Sequence, residues 1–243
     1  MESVLITGSA RRVGALIAED LASAGYCVWI HYRSHKSEAE ALCAKIRHAG
    51  GKAETVQADL TDTAQIDSML QTVLERSSGS LTTLINNAAM IRSGRLQDTS
   101  PDEWDIIMNT NLKAVWYLST RFSALFSSAK RIITIGDASA ANGYAGHAVY
   151  GLSKSALKYL TEQMAAAFAP SVRVNLISPG FILRADREPA EIWEKRISRT
   201  LTDNSGITGS ILSGIRFLMT DPGMTGAEII IDNGAHLPRS GKI

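Results

Sequence analysis

Residues 4–14 read VLITGSARRVG, in which a short apolar strand runs directly into a glycine turn. Apolar residues then recur every three to four positions and predict an amphipathic helix, namely Val13, Leu16, Ile17 and Leu21. A glycine directly after a strand permits a tight turn, and the helix that follows offers unpaired N–H groups and the positive end of its dipole. At the first strand-to-helix turn of a chain, this arrangement is typical of a pyrophosphate site.

The same alternation continues along the chain. After the first strand at 4–7, short apolar runs predict strands at 27–32, 53–57, 81–85, 131–135, 172–177 and 228–231. Helical periods predict helices at 38–49, 62–76, 101–129, 149–169 and 210–219. Strands without polar alternation, each joined to the next by a helix, predict an α/β fold: a Rossmann-like, doubly wound parallel sheet with helices on both faces.

One domain over residues 1–243 is the expected organisation, since no linker, repeat or low-complexity tract interrupts the pattern. From about 180 to 209 the sequence becomes rich in Arg, Glu, Pro and Trp with weak periodicity, and we interpret that segment as a substrate lid. Trp29 and Trp116 fall inside a predicted strand and helix and are expected in the core.

Composition excludes several classes of function. With 25 Lys+Arg against 24 Asp+Glu, the net charge is +1, so no nucleic-acid partner is expected. The two cysteines have no CxxC spacing and no neighbouring histidine cluster, which argues against a disulfide framework or a metal site. The chain has neither a signal-peptide pattern nor a run of about 20 apolar residues, so we expect a cytoplasmic protein without a membrane partner.

The end of the second strand discriminates between cofactors. An NAD enzyme places an acid there for the ribose 2′-OH, but residues 31–34 read HYRS. A 2′-phosphate favours cations, and Arg12 also replaces the middle glycine of the usual fingerprint, so Arg12, Arg33 and Ser34 are expected to converge on that phosphate. A merely solvated Arg33 is the alternative. The predicted cofactor is therefore NADP(H), with further contacts from Gly8, Arg11, Val13, Gly14, Asp59, Leu60, Asn87, Ala88, Pro179 and Gly180.

Tyr150 and Lys154 are the candidate catalytic pair. They stand four residues apart, so a helix places both side chains on one face. An ammonium group within a few ångströms favours the phenolate, and the pair could act as a tuned general acid. A Tyr-x-x-x-Lys spacing also arises by chance on helices, but here Asn111 lies in the preceding long helix and Asp137 follows the fifth strand.

Taken together, these motifs resemble the classical short-chain dehydrogenases/reductases over essentially the whole chain. The motifs are the glycine turn, Asn86-Asn87-Ala88-Ala89, Asn111, Tyr150 with Lys154, Ser178-Pro179-Gly180 and Asp232-Asn233-Gly234. The resemblance implies that Tyr150 transfers the proton and that Lys154 binds the nicotinamide ribose and lowers the pKa of the phenol. It also implies that Asn111 holds a water of the proton relay and that the protein is a dimer or tetramer.

Asp137 departs from that family pattern. Thirteen residues before Tyr150, most of the family has a serine that hydrogen-bonds the substrate carbonyl, and using Ser139 instead would need a two-residue shift. An ionised carboxylate only accepts hydrogen bonds, so Asp137 suits a substrate that donates N–H or a positively charged transition state. The alternative is that it only caps or orients backbone.

Several features together resemble the pteridine reductase branch of the family. They are Asp137, Arg12, the HYRS segment, Leu183 in place of the usual threonine, and the Pro-Ala-x-x-Trp pattern at 189–193. Those reductases often stack the pterin on an aromatic after the Asn-Asn-Ala motif, where this chain has Met90-Ile91. Met90, Phe181 and Trp193 are therefore the predicted pocket walls. Stacking on the pterin is then expected to be weaker, or to be supplied by Trp193 or Phe181.

The predicted function is NADPH-dependent hydride transfer to a pterin or dihydropterin C=N bond, with Tyr150 and Asp137 handling the proton. The first alternative is reduction of a carbonyl, such as a 3-oxoacyl thioester or a sugar or steroid ketone. The second is a dinucleotide-binding regulatory protein without catalysis.

Overall fold

The computed structural model describes residues 1–142, 146–184, 188–198, 200–202 and 207–237, with no account of the side chains of 141 and 142. Seven strands form a single sheet in the order β3-β2-β1-β4-β5-β6-β7, and every neighbouring pair is parallel. The strands are β1 Ser3–Ile6, β2 Cys27–Tyr32, β3 Lys52–Gln57, β4 Leu81–Asn86, β5 Arg131–Ile135, β6 Arg173–Pro179 and β7 Glu228–Ile231. This confirms the doubly wound α/β fold.

Helices cover both faces of the sheet. They are α1 Arg12–Ser23, α2 Lys36–His48, α3 Thr63–Arg76, α4 Pro101–Met108, α5 Ala114–Leu125, α6 Ala148–Phe168, α7 Ala190–Ile197 and α8 Ile207–Thr220. Successive strand residues point to opposite faces. Leu5 accordingly packs in the layer with α3, α5 and α6, whereas Val4 and Ile6 pack with α1, α2 and α8. The two apolar layers hold the carboxyl ends of the strands at one common edge.

The helix predicted over 101–129 is divided. Ser100 and Glu103 form a capping box at the start of α4, which agrees with the predicted beginning. A π-helical turn at Asn109–Lys113 then separates α4 from α5, and α5 ends at Leu125. Such turns are common at functional sites. Here the turn carries Asn111, whose side chain is buried.

The two tryptophans expected in the core differ. Trp29 is fully buried, as predicted, but the prediction for Trp116 is wrong, because 48% of that residue is exposed. Trp116 lies on the outward side of α5, beside a groove of about 450 Å³ between α5 and α6. Leu112, Leu160 and Tyr159 line the same groove, and Tyr159 is 67% exposed.

The predicted lid contains a helix that weak periodicity did not reveal, namely α7 at Ala190–Ile197. Positions 185–187, 199 and 203–206 of that segment lie outside the described residues. Among the helices that are described, none is long and apolar enough to cross a bilayer. The described His, Cys, Asp and Glu side chains include no group of three that could hold a metal ion.

Candidate active site

A cleft of about 460 Å³ opens at the carboxyl ends of β1, β2 and β4. In an open parallel sheet, ligands bind outside this edge where the strand order reverses, and β1 with β4 form that reversal point here. The cleft brings together most of the predicted cofactor residues. They are Gly8, Arg11, Arg12, Val13, Gly14, Arg33, Ser34, Asp59, Leu60, Asn87 and Ala88, joined by Met90 of the predicted substrate pocket.

The glycine turn is packed too closely for side chains. A Cβ atom on Gly8 would lie 2.9 Å from the Cα of Ala88, and one on Gly14 would lie 2.6 Å from the carbonyl oxygen of Gly8. Gly8 also has φ of +61°, a left-handed conformation that glycine adopts at no steric cost. The side-chain amide of Asn87 donates to the carbonyls of Thr7 (2.9 Å) and Gly8 (3.1 Å), which fastens the turn to the end of β4.

These residues fit the phosphates of a dinucleotide. Helix α1 begins at Arg12, and its N-cap residue Arg11 makes no side-chain capping bond, so the first N–H groups of α1 are left for an anion. Arg11 and Arg33 are exposed at the rim. Residues 31–34 at the end of β2 include no carboxylate that would repel a 2′-phosphate.

Arg12 contacts the backbone that follows β6. Its guanidinium Nη2 donates to the carbonyls of Leu183 (3.4 Å) and Arg184 (3.3 Å), just after β6. Strands β2 and β6 lie on opposite sides of β1 in the sheet, and Arg12, Arg33 and Ser34 line the same cleft. Their convergence on a 2′-phosphate stays a prediction. Arg12 connects the glycine turn to the start of the predicted lid.

The backbone at Arg12 explains why a glycine is usual there. Its φ is +56°, and a side chain in this left-handed region costs about 1–2 kcal/mol. Strain of this kind is commonly retained at functional sites. Arg12 therefore occupies a strained position while its guanidinium contacts the backbone of Leu183 and Arg184.

Tyr150 and Asp137 form the centre of the catalytic constellation. Tyr150 is 8% exposed, and its hydroxyl donates to Asp137 Oδ2 at 2.8 Å. The backbone N–H of Ser139 donates to Asp137 Oδ1 at 2.9 Å. The carboxylate thus orients backbone and also contacts the phenol, and its contact with a substrate stays a prediction. It is Asp137, and not the Ser139 hydroxyl, that stands against Tyr150.

Lys154 lies one helical turn beyond Tyr150 and is buried. Its ammonium donates to the carbonyl of Ile135 at 2.7 Å. Burial lowers the pKa of Lys154 to about 8, and the neighbouring charge of Asp137 opposes that shift. Near neutral pH the ammonium therefore remains, but it loses its proton far more readily than an exposed lysine does.

Asn111 connects the two walls of the site. Its Oδ1 accepts from the Met90 N–H (2.7 Å), and its Nδ2 donates to the Met90 carbonyl (2.9 Å) and to Ser153 Oγ (3.0 Å). The Ser153 hydroxyl in turn donates to the Tyr150 carbonyl at 2.7 Å. The amide hydrogens of Asn111 are thus used by protein atoms, and the water-holding role stays a prediction.

The other residues predicted for the cofactor site and the substrate pocket follow β6 or lie on α7. Pro179 ends β6, and a Cβ on Gly180 would lie 2.7 Å from the Cβ of Asp232, which explains the glycine. Phe181 follows, half-buried, with the Arg196 guanidinium 5.8 Å from its ring centre. Trp193 is half-buried on α7, and no described contact joins it to Met90.

Two residues near the site were not predicted to form it. Arg196 lies on α7, where no sequence pattern marked it. His147 lies three residues before Tyr150, close enough in sequence to reach the pocket, although a lone loop histidine is more often solvated. Burial and then the Arg196 charge lower the pKa of His147, and the charge of Asp137 acts in the opposite direction.

Comparison with known proteins agrees with this geometry. A family model described as Enoyl-(Acyl carrier protein) reductase matches residues 8–236. The 3-oxoacyl-[acyl-carrier-protein] reductase FabG of Staphylococcus aureus is 30% identical over 250 residues, which covers 97% of this chain and 98% of that protein. The chain belongs to the short-chain dehydrogenase/reductase family. It is accordingly an oxidoreductase, as its Tyr150 and Lys154 predicted.

Solved structures of this family superpose closely. FolM alternative dihydrofolate reductase 1 of Brucella canis, complexed with NADP, has a TM-score of 0.89 at 30% identity and covers 99% of this chain and 96% of its own. A short chain dehydrogenase of Burkholderia cenocepacia, also with NADP, has a TM-score of 0.87 at 30% identity, covering 96% and 97%.

The buried ammonium of Lys154 predicts a pH dependence of stability. Its pKa is about 8 in the folded protein against an ordinary 10.5, so between these values the folded state binds fewer protons than the unfolded chain. The free energy of unfolding contributed by Lys154 therefore rises with pH across that window. From about pH 8 to about pH 10, the wild-type value minus the Lys154→Met value should increase by about 2 kcal/mol in urea denaturation.

The matched control is Lys158→Met, which removes an exposed lysine one turn further along α6. Its difference from wild type should stay level over the same pH range. Parallel pH curves for wild type and Lys154→Met would contradict the burial of a titrating Lys154.

Proposed function

We propose that this enzyme reduces the C=N bond of a pterin or dihydropterin with NADPH. The observation that carries the proposal is the hydrogen bond from the Tyr150 hydroxyl to Asp137. It places a proton donor and an obligate hydrogen-bond acceptor side by side.

The cofactor is NADP(H). The segment after β2 carries Arg33 and no acid, and guanidinium groups match phosphate in charge and geometry. Both the Brucella and the Burkholderia structures hold NADP. We propose that Arg33 and Ser34 contact the 2′-phosphate, that the glycine turn holds the pyrophosphate, and that Lys154 contacts the nicotinamide ribose.

In the reaction, the bound cofactor supplies a hydride to the carbon of the C=N bond. Tyr150 delivers its hydroxyl proton to the nitrogen, and the Lys154 ammonium one turn away favours the phenolate that results. Asp137 accepts a hydrogen bond from an N–H or amino group of the substrate, because an ionised carboxylate cannot donate. Pterins present such donors next to the nitrogens that accept protons, whereas a ketone oxygen offers only acceptor capacity.

The relatives favour two different substrates. The FolM structures belong to proteins named dihydrofolate reductases, which agrees with a pterin ring. The FabG similarity favours the second candidate, reduction of a 3-oxoacyl thioester. Asp137 argues for the pterin, because it cannot hydrogen-bond a ketone oxygen. The retention of Tyr150, Lys154 and Asn111 together disfavours a regulatory protein without catalysis.

We assign the substrate walls to Met90, Phe181 and Trp193, and the cover to the predicted lid at 180–209. Met90 lines the nucleotide cleft and is fixed by Asn111. Phe181 offers an aromatic face beside a cation. Arg12 holds the first lid residues against the glycine turn, so the lid begins next to the nucleotide.

We also propose that the protein is a homodimer or homotetramer. The groove between α5 and α6 is lined mainly by apolar side chains, and Trp116 and Tyr159 project from it. An exposed apolar patch of this kind favours association, and a second copy of the chain supplies an identical helix pair.

We place the enzyme in the cytoplasm. Cys27 and Cys43 are both free thiols, and Cys43 donates to the carbonyl of Ala53 in the interior. Free thiols of this kind are normal in a reducing compartment.

Replacing Asp137 tests the substrate assignment. In Asp137→Ser, kcat/KM for a 7,8-dihydropterin should fall about 100-fold, because the longer, charged acceptor for the substrate N–H is replaced by a short neutral hydroxyl. Turnover of a 3-oxoacyl thioester should rise, since a hydroxyl can donate to a ketone. NADPH oxidation with both substrates, measured side by side, gives the comparison. Ser139→Ala is the control and should stay within about twofold. A gain in ketone reduction without loss of pterin turnover would contradict the pterin assignment.

Arg33→Ala tests the cofactor contact. The dissociation constant for NADPH should rise about tenfold, while that for NADH changes less than about twofold, because NADH lacks the 2′-phosphate. Quenching of intrinsic tryptophan fluorescence reports both. Lys36→Ala, which removes a nearby exposed cation paired with Glu40, should change neither constant. Equal losses for the two nucleotides would argue against a 2′-phosphate contact.

Trp116→Glu tests the association. A carboxylate in the α5–α6 groove should reduce the sedimentation mass relative to wild type, because charge burial opposes the contact. Phe217→Glu, at a similarly exposed aromatic on α8, is the control and should keep the wild-type mass. Identical masses for all three proteins would show that this groove is not the interface.

A further inference from the structure

His31 is a buried titratable side chain that the proposed reaction does not use. It lies on β2, between β1 and β3, and is 2% exposed. Its Nδ1 lies 2.9 Å from the backbone nitrogen of Gly8, and its Nε2 lies 3.1 Å from the carbonyl oxygen of Ala58. The ring therefore spans from the glycine turn after β1 to the loop after β3.

The two partners determine the state of the imidazole. The Gly8 N–H can only donate, so Nδ1 must be the unprotonated acceptor. The Ala58 carbonyl can only accept, so Nε2 must carry the hydrogen. A single neutral tautomer satisfies both bonds, whereas an imidazolium would turn an N–H toward the Gly8 N–H.

Burial keeps the ring in that form. It lowers the pKa of His31 to about 4, with the Ala58 hydrogen bond and the nearby charge of Asp59 acting in the opposite direction. Neutral imidazole is therefore the species present at physiological pH.

The hydrogen bond from the Gly8 N–H is one of several that fix the peptide groups of the glycine turn. The His31 ring accepts from the N–H of Gly8, the His31 carbonyl accepts from the N–H of Ser9 (3.0 Å), and Asn87 donates to the Gly8 carbonyl. Ala58 immediately precedes Asp59 and Leu60, which line the cleft on the opposite side of β2. One side chain thus sets the separation of two walls of the nucleotide cleft.

We infer that His31 is a positioning residue for the dinucleotide: it holds the glycine turn in its binding conformation by accepting the Gly8 N–H. The inference depends on the nucleotide binding proposed above and not on the identity of the substrate. If the hydrogen bond from the Gly8 N–H to His31 is lost, a buried N–H is left without an acceptor, which is unfavourable. The glycine turn then moves out of its binding conformation to find another acceptor.

Asparagine and glutamine at this position separate the two bonds. The shorter amide in His31→Asn places its oxygen near the position of Nδ1 and can keep the Gly8 bond, whereas the longer amide in His31→Gln places its nitrogen near Nε2 and keeps only the Ala58 bond. In fluorescence titrations, His31→Gln and His31→Leu should raise the dissociation constants for NADPH and for 2′,5′-ADP about tenfold. His31→Asn should stay within about threefold of wild type. The kcat at saturating NADPH should change less than about twofold in all soluble variants.

Ile30→Ala is the matched control, because Ile30 is fully buried on the same strand but packs in the α1–α2 layer. It should lower the free energy of unfolding at least as much as His31→Gln while leaving the NADPH dissociation constant within about twofold. Equal weakening by Ile30→Ala, or an asparagine variant no better than glutamine, would overturn the inference and leave His31 as ordinary core. If His31→Leu does not fold, the asparagine and glutamine pair still decides. Wild-type titration reports separately on nucleotide binding itself.

Discussion

The close packing of backbone against backbone between the ends of β1 and β4 underlies the whole site. Gly8 approaches Ala88 so closely that one added carbon would force the strands apart. That approach lets Asn87 fasten the turn from one side and His31 from the other. This contact positions the start of α1, the nucleotide cleft and the segment that carries Met90. A parallel sheet makes it possible, since its strands end together at one edge.

Most of the fold could be predicted from the chain because buried parallel strands are continuous apolar runs, and such runs are visible without tertiary information. Strands β2, β5 and β7 begin and end within a residue of the predicted bounds. The errors arise where a local pattern does not encode tertiary surroundings. The π turn at Asn109–Lys113 interrupts what the apolar pattern predicts as one helix, and Trp116 carries an apolar side chain that is 48% exposed.

Some residues of the candidate site could likewise be predicted from the sequence, and others could not. Tyr150 and Lys154 could be predicted from a helical spacing. Asp137 could be predicted from its position thirteen residues before Tyr150, and its carboxylate accepts from the Tyr150 hydroxyl. The direction of Arg12 could not, because a guanidinium on a long stem can reach either side of β1, and only the lid carbonyls determine which. Arg196 and His31 act through contacts between distant segments, and no spacing in the sequence marks such contacts.

The hydrogen bond from the phenol of Tyr150 to the carboxylate of Asp137 affects which ligands bind beside these two side chains. A ligand that accepts a hydrogen bond from the Tyr150 hydroxyl removes that hydrogen bond from Asp137. A carboxylate that loses a hydrogen bond in an enclosed site is energetically unfavourable. A ligand with an acceptor next to a donor along one edge accepts from Tyr150 and donates to Asp137. Two hydrogen bonds then replace the one that is lost. A ligand with lone pairs alone donates nothing to the carboxylate. Under the proposed function, Tyr150 and Asp137 would therefore favour ligands that carry both an acceptor and a donor along one edge.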